Sequence, residues 1–223
     1  MISRIYKLLM VCAVIAIVTI SCKKGDQTYH DALKQSFTSY DGSAMDYLKA
    51  QTGVYDSLLV LVDRIPGLQD SLTNKKITFF SITNKSFETA IKSLNRDRAF
   101  ENKPPLYLRD LDVSVLDTMV YKYVISGTYL TTDISSQSNG VDFSGLKYEY
   151  PMHVDYQLLN ASGYVGAGEQ QLLFSDTNNS TISSNWVSTT TQTLNIKTKN
   201  GIIHVLSPGH IFGFNQFSSK FNQ

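Results

Sequence analysis

Residues 200–206 read Asn200-Gly201-Ile202-Ile203-His204-Val205-Leu206, and their reading decides the fold. Asn-Gly is the strongest dipeptide signal for a tight hairpin turn, because both positions accept positive φ. An apolar, β-branched run follows it, and the preceding segment, Trp186 to Thr198, is Thr-rich and alternating. The two read as arms of one hairpin. Further back, His153 to Leu159 alternates, with Val154, Tyr156 and Leu158 on one side. Asn160 to Gly163 is a turn, and Tyr164 to Phe174 is the returning partner strand. Asp142 to Tyr150 alternates weakly, and Ser175 to Asn185 is an Asn/Ser/Thr-rich loop. The second half of the chain is therefore strand-rich.

The first half has a different period. Tyr47, Leu48, Tyr55, Leu58, Leu59, Val62 and Ile65 recur at spacings of three and four, which predicts amphipathic helix, divided at Gly53 and stopped by Pro66-Gly67. Ile77 to Ile82 reads as a strand. Thr83 and Asn84 then supply side-chain oxygens suited to capping a helix whose apolar face is Phe87, Ala90, Ile91 and Leu94. Asn95 to Pro105 reads as a loop, Leu106 to Met119 as a short helix or pair of turns, and Val120 to Ile125 as a strand ending at Ser126-Gly127.

Three segments now stand in order: the helix ending in Gly67-Leu68, then Thr78-Phe79-Phe80-Ser81-Ile82-Thr83-Asn84-Lys85-Ser86-Phe87, then Asn200 to Leu206. This set resembles the fasciclin-like domain family, over about Asp46 to Phe214. The match is carried by Thr78, Phe80, Thr83, Asn84 and Phe87, and by Asn200, Gly201, Ile203, His204 and Val205. It departs at Ser81 and Ile82, where the family prefers Ala-Pro. The resemblance implies an α+β fold, a β-sandwich or wedge with helices packed on one side. Residues about 136–185 exceed the family core and read as an extra β-hairpin insertion at the sheet edge. The family's Tyr-His-Val-Val segment, for which an adhesive role is proposed, is held here by Lys122, Tyr123, Val124 and Ile125. Those four are implied candidate binding residues, with Lys-Tyr in place of Tyr-His.

The N-terminus reads as an address. Arg4 and Lys7 precede an uncharged run from Leu8 to Ile20, 13 residues long. That suits a secretory signal and falls short of a membrane-spanning helix. Ser21-Cys22 follows, then Lys23-Lys24. The layout resembles a bacterial lipoprotein signal of Bacteroidetes type, with residues 1–21 removed and Cys22 lipidated. Residues 22–43 are then lipidated cysteine and tether, and 44–217 the fasciclin-like domain. Cys12 and Cys22 are the two cysteines of the chain, so its body has none for a disulfide or a thiolate metal site.

Composition narrows the function. Twenty Lys+Arg against 19 Asp+Glu leave a net charge of +1, which is no footprint for nucleic acid. His204 and His210 stand six apart without a metal-binding companion motif, and His204 reads as structural. Asp110-x-Asp112 lacks the remainder of a calcium loop and reads as a solvated helix start. Gly163, Gly166 and Gly168 read as turn or bulge glycines. No Gly-x-Ser-x-Gly elbow is present. We therefore expect no catalytic residues, metal or cofactor. Tyr148, Tyr150, Tyr156, Tyr164 and Trp186 fall in the strand half, as candidate contacts for a glycan or protein surface or as ordinary cross-strand packing.

The expected protein is a binding or adhesion module of the bacterial cell envelope, an outer-membrane lipoprotein held to the membrane through Cys22. Its partner is an envelope protein or a glycan. The resemblance extends to lipoproteins that accompany outer-membrane glycan import complexes. The alternatives are an envelope hydrolase, which would need a pocket gathering His153 or His204 with carboxylates, and a purely structural spacer.

Overall fold

The computed structural model describes residues 38–160 and 168–223. The signal segment, Cys12, Cys22, His30 and most of the tether lie outside the described residues, as do Gly163, Tyr164 and Gly166.

The order of elements is β1 (Thr38–Ser39), α1 (Ala44–Ala50), α2 (Asp56–Arg64), α3 (Leu68–Asn74), β2 (Ile77–Ser81), α4 (Asn84–Phe100), α5 (Val113–Val120), β3 (Val124–Ser126), α6 (Thr131–Ser135), β4 (Val141–Ser144), β5 (Pro151–Leu158), β6 (Gln170–Asp176), β7 (Val187–Lys197), β8 (Gly201–Leu206) and α7 (Phe217–Phe221). The class is α+β. Eight strands form one sheet in the order β3-β2-β8-β7-β6-β5-β4, with β1 added in parallel to β7. The β2–β8 pair is parallel, and the remaining neighbours along that order are antiparallel.

The sheet bends where β7 changes partner. Val187 to Thr190 face β6, whereas Thr191 to Lys197 face β8, and two register shifts interrupt the latter pairing. Such bulges kink a strand and increase its twist. The bend brings the two ends of the strand order together. Leu146 donates its N–H to the Val124 carbonyl at 2.7 Å, and Ile125 forms a bridge with Gly145. The result is a nearly closed wedge. Its interior holds Phe80 stacked on Phe174, with ring centroids 3.9 Å apart.

The segment read as an edge insertion supplies three of the strands. Its Met152, Val154, Leu172 and Phe174 are buried core, so it builds one half of the wedge rather than decorating its edge. Residues 38–43, read as the end of the tether, also belong to the fold. Thr38 pairs with Ile196, Tyr40 donates to the Lys197 carbonyl at 2.8 Å, and Ser43 caps α1 in a reciprocal box with Asp46. At the other end Phe217 and Phe221 are buried, carrying the fold past residue 217.

Several local expectations change. α4 continues to Phe100 rather than ending before Asn95, because Arg98 is drawn inward to the carbonyls of Pro104 and Phe221. Tyr121–Tyr123 forms a 3₁₀ turn where a strand was expected, and β3 begins only at Val124. A short helix, α6, follows Gly127 where helical periodicity is absent from the sequence. Thr83 occupies the N-cap position of α4, yet its side chain makes no capping bond.

Candidate functional site

The motif residues are structural. Asn84 caps α2 instead of its own helix: its Oδ1 accepts the Ser57 N–H at 2.8 Å and its Nδ2 donates to the Gly53 carbonyl. Asn200 behaves similarly toward α1, accepting the Ala44 N–H and donating to the carbonyls of Leu72 and Lys75. Gly201 lies so close to β2 that a Cβ would sit 2.3 Å from the Ile77 carbonyl oxygen. Thr78 donates its hydroxyl to Gly127 and accepts the Tyr129 N–H. Phe87 packs on Phe212.

His204 is fully buried. It accepts the Asn195 N–H at Nδ1, which leaves Nε2 to donate to the Tyr129 carbonyl at 3.2 Å. Burial holds its pKa down at about 4. His210 takes part in a separate network. The Tyr123 hydroxyl accepts the Gly213 N–H and shares a hydrogen bond with His210 Nε2 at 2.7 Å, and burial lowers this imidazole to about 3. Among the described residues no group of three or more His, Cys, Asp or Glu could hold a metal ion. Asp112 caps α5, accepting the N–H groups of Ser114 and Val115. Asp110 accepts the Tyr107 N–H.

A cleft of about 510 Å³ opens between α5, the loop before β5, the turn after β6 and the C-terminal segment. Val115, Thr118 and Met119 line it from α5, and Tyr148 and Tyr150 from the loop. Asn178, Asn179, Gln216 and Lys220 complete the wall, and Lys122 lies at its floor. The Lys122 ammonium is buried against Asp176 Oδ2 at 2.6 Å and donates to Gln216 Oε1 at 3.2 Å. It also sits 4.2 Å from the centre of the Tyr150 ring, a cation–π contact. Asp176 is fully buried, and its other oxygen accepts the Asn178 N–H at 2.8 Å. Burial, and the hydrogen bond to Asp176, push the Tyr150 phenol well above its ordinary pKa. A buried charge is tolerable only when paired and hydrogen-bonded, and both members of this pair are.

The walls are fixed by local geometry. Asn178 and Asn179 have φ near +51° and +55°, left-handed values that Asn accepts more readily than most residues. Gln216 donates Nε2 to Asn178 Oδ1 at 2.6 Å, joining the turn to the C-terminal segment. That segment enters through three successive left-handed residues, Gly213, Phe214 and Asn215. The value of +51° at Phe214 is strained for a bulky residue. Tyr148 is 46% exposed, yet it is held by its hydroxyl bond to Asp117 at 2.8 Å and by edge-to-face contact with Tyr121.

Lys122, Tyr148 and Tyr150 thus meet in one cleft. The other candidates do not join them. Tyr123, Val124 and Ile125 are interior residues, so their expected contact role gives way to packing. The expected aromatic row is divided between elements, since among the described residues only Tyr156 lies within a strand. Tyr156 shares the inner face of β5 with Met152 and Val154 and packs against the core. Trp186 packs on His153, which projects from the other face, and donates its indole N–H to the Ser180 carbonyl.

His153 has a carboxylate partner, as a catalytic base would. Its Nδ1 lies 2.7 Å from Asp142 Oδ1, and its strand partner on the other side is Ser175. However, its Nε2 faces Gly140, where a Cβ would stand 2.4 Å away, and Ser175 Oγ is bonded to Ser188 Oγ. A nucleophile needs its hydroxyl at the base, and this geometry turns the two apart. Asp176, Gln216 and Asn195 carry no motif in the sequence, and Asn178 stands there only within an incidental Asn178-Asn179-Ser180 sequon. The single signal for them is the Asp176-x-Asn178-Asn179 pattern of a side-chain-closed turn.

No protein-family model matches the chain, and no curated protein matches it. Among solved structures it is similar to a FAS1 domain pair from the insect cell adhesion molecule Fasciclin I, at 12% identity and a TM-score of 0.49, covering 74% of this chain. The chain spans about half the length of that domain pair, 49%.

Proposed function

We propose that this protein is a non-catalytic binding module that takes its ligand in the cleft beside the Lys122–Asp176 pair. The observation that carries the reading is the joining of a rigid, exposed Tyr148 to amide side chains above a neutralised ion pair. Preorganised aromatic and polar groups reduce the ordering cost of binding. The motif resemblance to fasciclin-like domains agrees with an adhesive role. The lipoprotein signal supports a place in the bacterial envelope, anchored at Cys22 and facing an envelope protein or glycan. Accessory work at an outer-membrane glycan import complex belongs to the same reading.

The test uses the full chain, immobilised and offered envelope extract from a Bacteroidetes host. Material retained by the wild type, lost with Tyr148→Ala and returned chemically unchanged supports binding. Turnover of that material, abolished by His153→Ala, would overturn it in favour of a hydrolase. Metabolic labelling with an alkyne fatty acid checks the anchor: label must enter the wild type and be absent from Cys22→Ala.

A further inference from the structure

We propose that Asn139-Gly140 is a site of self-modification, at which the His153–Asp142 pair drives loss of ammonia from the Asn139 carboxamide. The chain holds two Asn-Gly pairs, and the fold treats them in opposite ways. Asn200 is locked. Its Oδ1 accepts the Ala44 N–H, its Nδ2 donates to the carbonyls of Leu72 and Lys75, and the Gly201 N–H donates to Thr198 Oγ1 at 3.1 Å. Asn139 is exposed in the turn between α6 and β4, and its carboxamide takes no hydrogen bond among the described residues. Glycine follows it, so no side chain shields the nitrogen that must attack.

A base stands beside that turn. His153 Nδ1 lies 2.7 Å from Asp142 Oδ1. A carboxylate oxygen only accepts, so Nδ1 carries the proton and the Nε2 lone pair is bare. Nε2 takes no partner among the described residues and faces Gly140, where a Cβ would stand 2.4 Å from it. Trp186 packs on the imidazole, with 4.6 Å between ring centroids, and keeps it there. A general base must reach the proton it removes, and its bond often tightens only as the reaction proceeds. The Gly140 N–H is held by the Gln137 carbonyl at 3.2 Å, the long end of the normal range, so one weak turn bond opens to release it.

The step balances with water as its one co-reactant. His153 Nε2 takes the Gly140 amide proton, and the Gly140 nitrogen attacks Asn139 Cγ to close a succinimide ring. The Cγ–Nδ2 bond breaks, and that nitrogen leaves as ammonia with the proton returned from the imidazolium. Water then opens the ring at one carbonyl or the other, giving aspartate or isoaspartate at position 139. Either product sets a new carboxylate just ahead of Asp142. The iso form also lengthens the main chain by one carbon immediately before the Val141–Val154 pair that opens β4.

The full chain is held in warm neutral buffer, and its proteolytic peptides are followed by mass spectrometry for the exchange of an amide NH₂ for OH. Labelling with isoaspartyl methyltransferase marks the iso product. We expect the Asn139 peptide to convert about tenfold or more faster than the Asn200 peptide, and faster than a free peptide of residues 135–143, which lacks the imidazole. His153→Gln should bring Asn139 down to the rate of the free peptide or below. Asp142→Asn, a change at a side chain 80% exposed, should give an intermediate rate. In urea both Asn-Gly pairs should convert at one common rate, indifferent to His153→Gln. Thermal melts establish that each variant is folded; if His153→Gln is not, the Asp142→Asn rate decides. Folded Asn139 converting no faster than the free peptide overturns the inference. So does a rate that neither variant lowers. A chain broken between Asn139 and Gly140 overturns it as well, since the side-chain nitrogen would then be the nucleophile.

Discussion

Asn200 and Ala44 are joined across 156 positions of sequence by a hydrogen bond from the Ala44 N–H to Asn200 Oδ1, 2.8 Å long. The first N–H groups of a helix have no partner within it. Here a turn residue of the last hairpin satisfies one at the first helix of the domain. Asn84 repeats the arrangement for α2 through Ser57. Asn200→Ala should therefore cost about 2 kcal/mol or more, since it loses this cap together with its bonds to Leu72 and Lys75. Asn200→Asp keeps the acceptor and should cost less. Chemical denaturation of the two variants checks the order, and equal losses would show that the cap contributes nothing.

Gly201→Ala tests the close approach of β8 to β2. A Cβ 2.3 Å from the Ile77 carbonyl oxygen meets backbone on a paired strand, which cannot yield as a side-chain tip can. We expect a lowered melting temperature with hydrogen exchange quickened first in β2 and β8. An unchanged melt would mean that the two strands separate without cost.

The buried pair at the cleft floor predicts a non-additive cycle. Lys122→Met leaves the Asp176 carboxylate buried without its cation and should destabilise by about 3–5 kcal/mol. Asp176→Asn in the same chain removes the second charge while retaining an acceptor for the Asn178 N–H. The double variant should recover much of the loss. A double variant as unstable as the sum of the singles would contradict the coupling.

Acid should weaken the fold well above the carboxylate range. His204 and His210 are held neutral by burial, at about 4 and about 3 against an ordinary 6.5. Below pH 6.5 the unfolded chain takes up protons that the folded chain refuses. Stability is thus fully present above that point and falls as pH drops toward the folded values, by up to about 1.4 kcal/mol per pH unit for each imidazole. His210→Gln, which keeps a hydrogen-bonding group for Tyr123, should flatten the dependence. Denaturant midpoints that do not move between pH 7.5 and 5 would sink the argument.

Much of the scaffold was legible because its signals are local. The last hairpin, the strand at Ile77 and the division of the first helices at Gly53 all follow from short-range chemistry, although the hairpin turns at residues 198–200, with neither Asn200 nor Gly201 at positive φ and Gly201 already in β8. The errors fall where tertiary contacts decide. The polar end of α4 is helical because Arg98 finds carbonyls at Pro104 and Phe221. Tyr121–Tyr123 leaves the strand path and coils, and its middle residue, Lys122, meets Asp176 across 54 positions. The same distance hid half of the cleft. Lys122, Tyr148 and Tyr150 attracted notice through a resemblance and through aromaticity. Asp176, Asn178 and Gln216 acquire their roles only when β6 and the C-terminal segment arrive beside them. The aromatic row is divided because Tyr156 packs against the core from β5, whereas Trp186, just outside β7, packs on His153, which points from the opposite face of β5.

The bond from Leu146 to Val124 has a consequence beyond shape. An open sheet ends in two rows of unused backbone donors and acceptors, which another molecule's strand can copy onto itself. In this wedge the two outermost strands of the order meet, and β1 occupies part of the flank of β7. Identical copies brought close together thereby find little template for fibre growth.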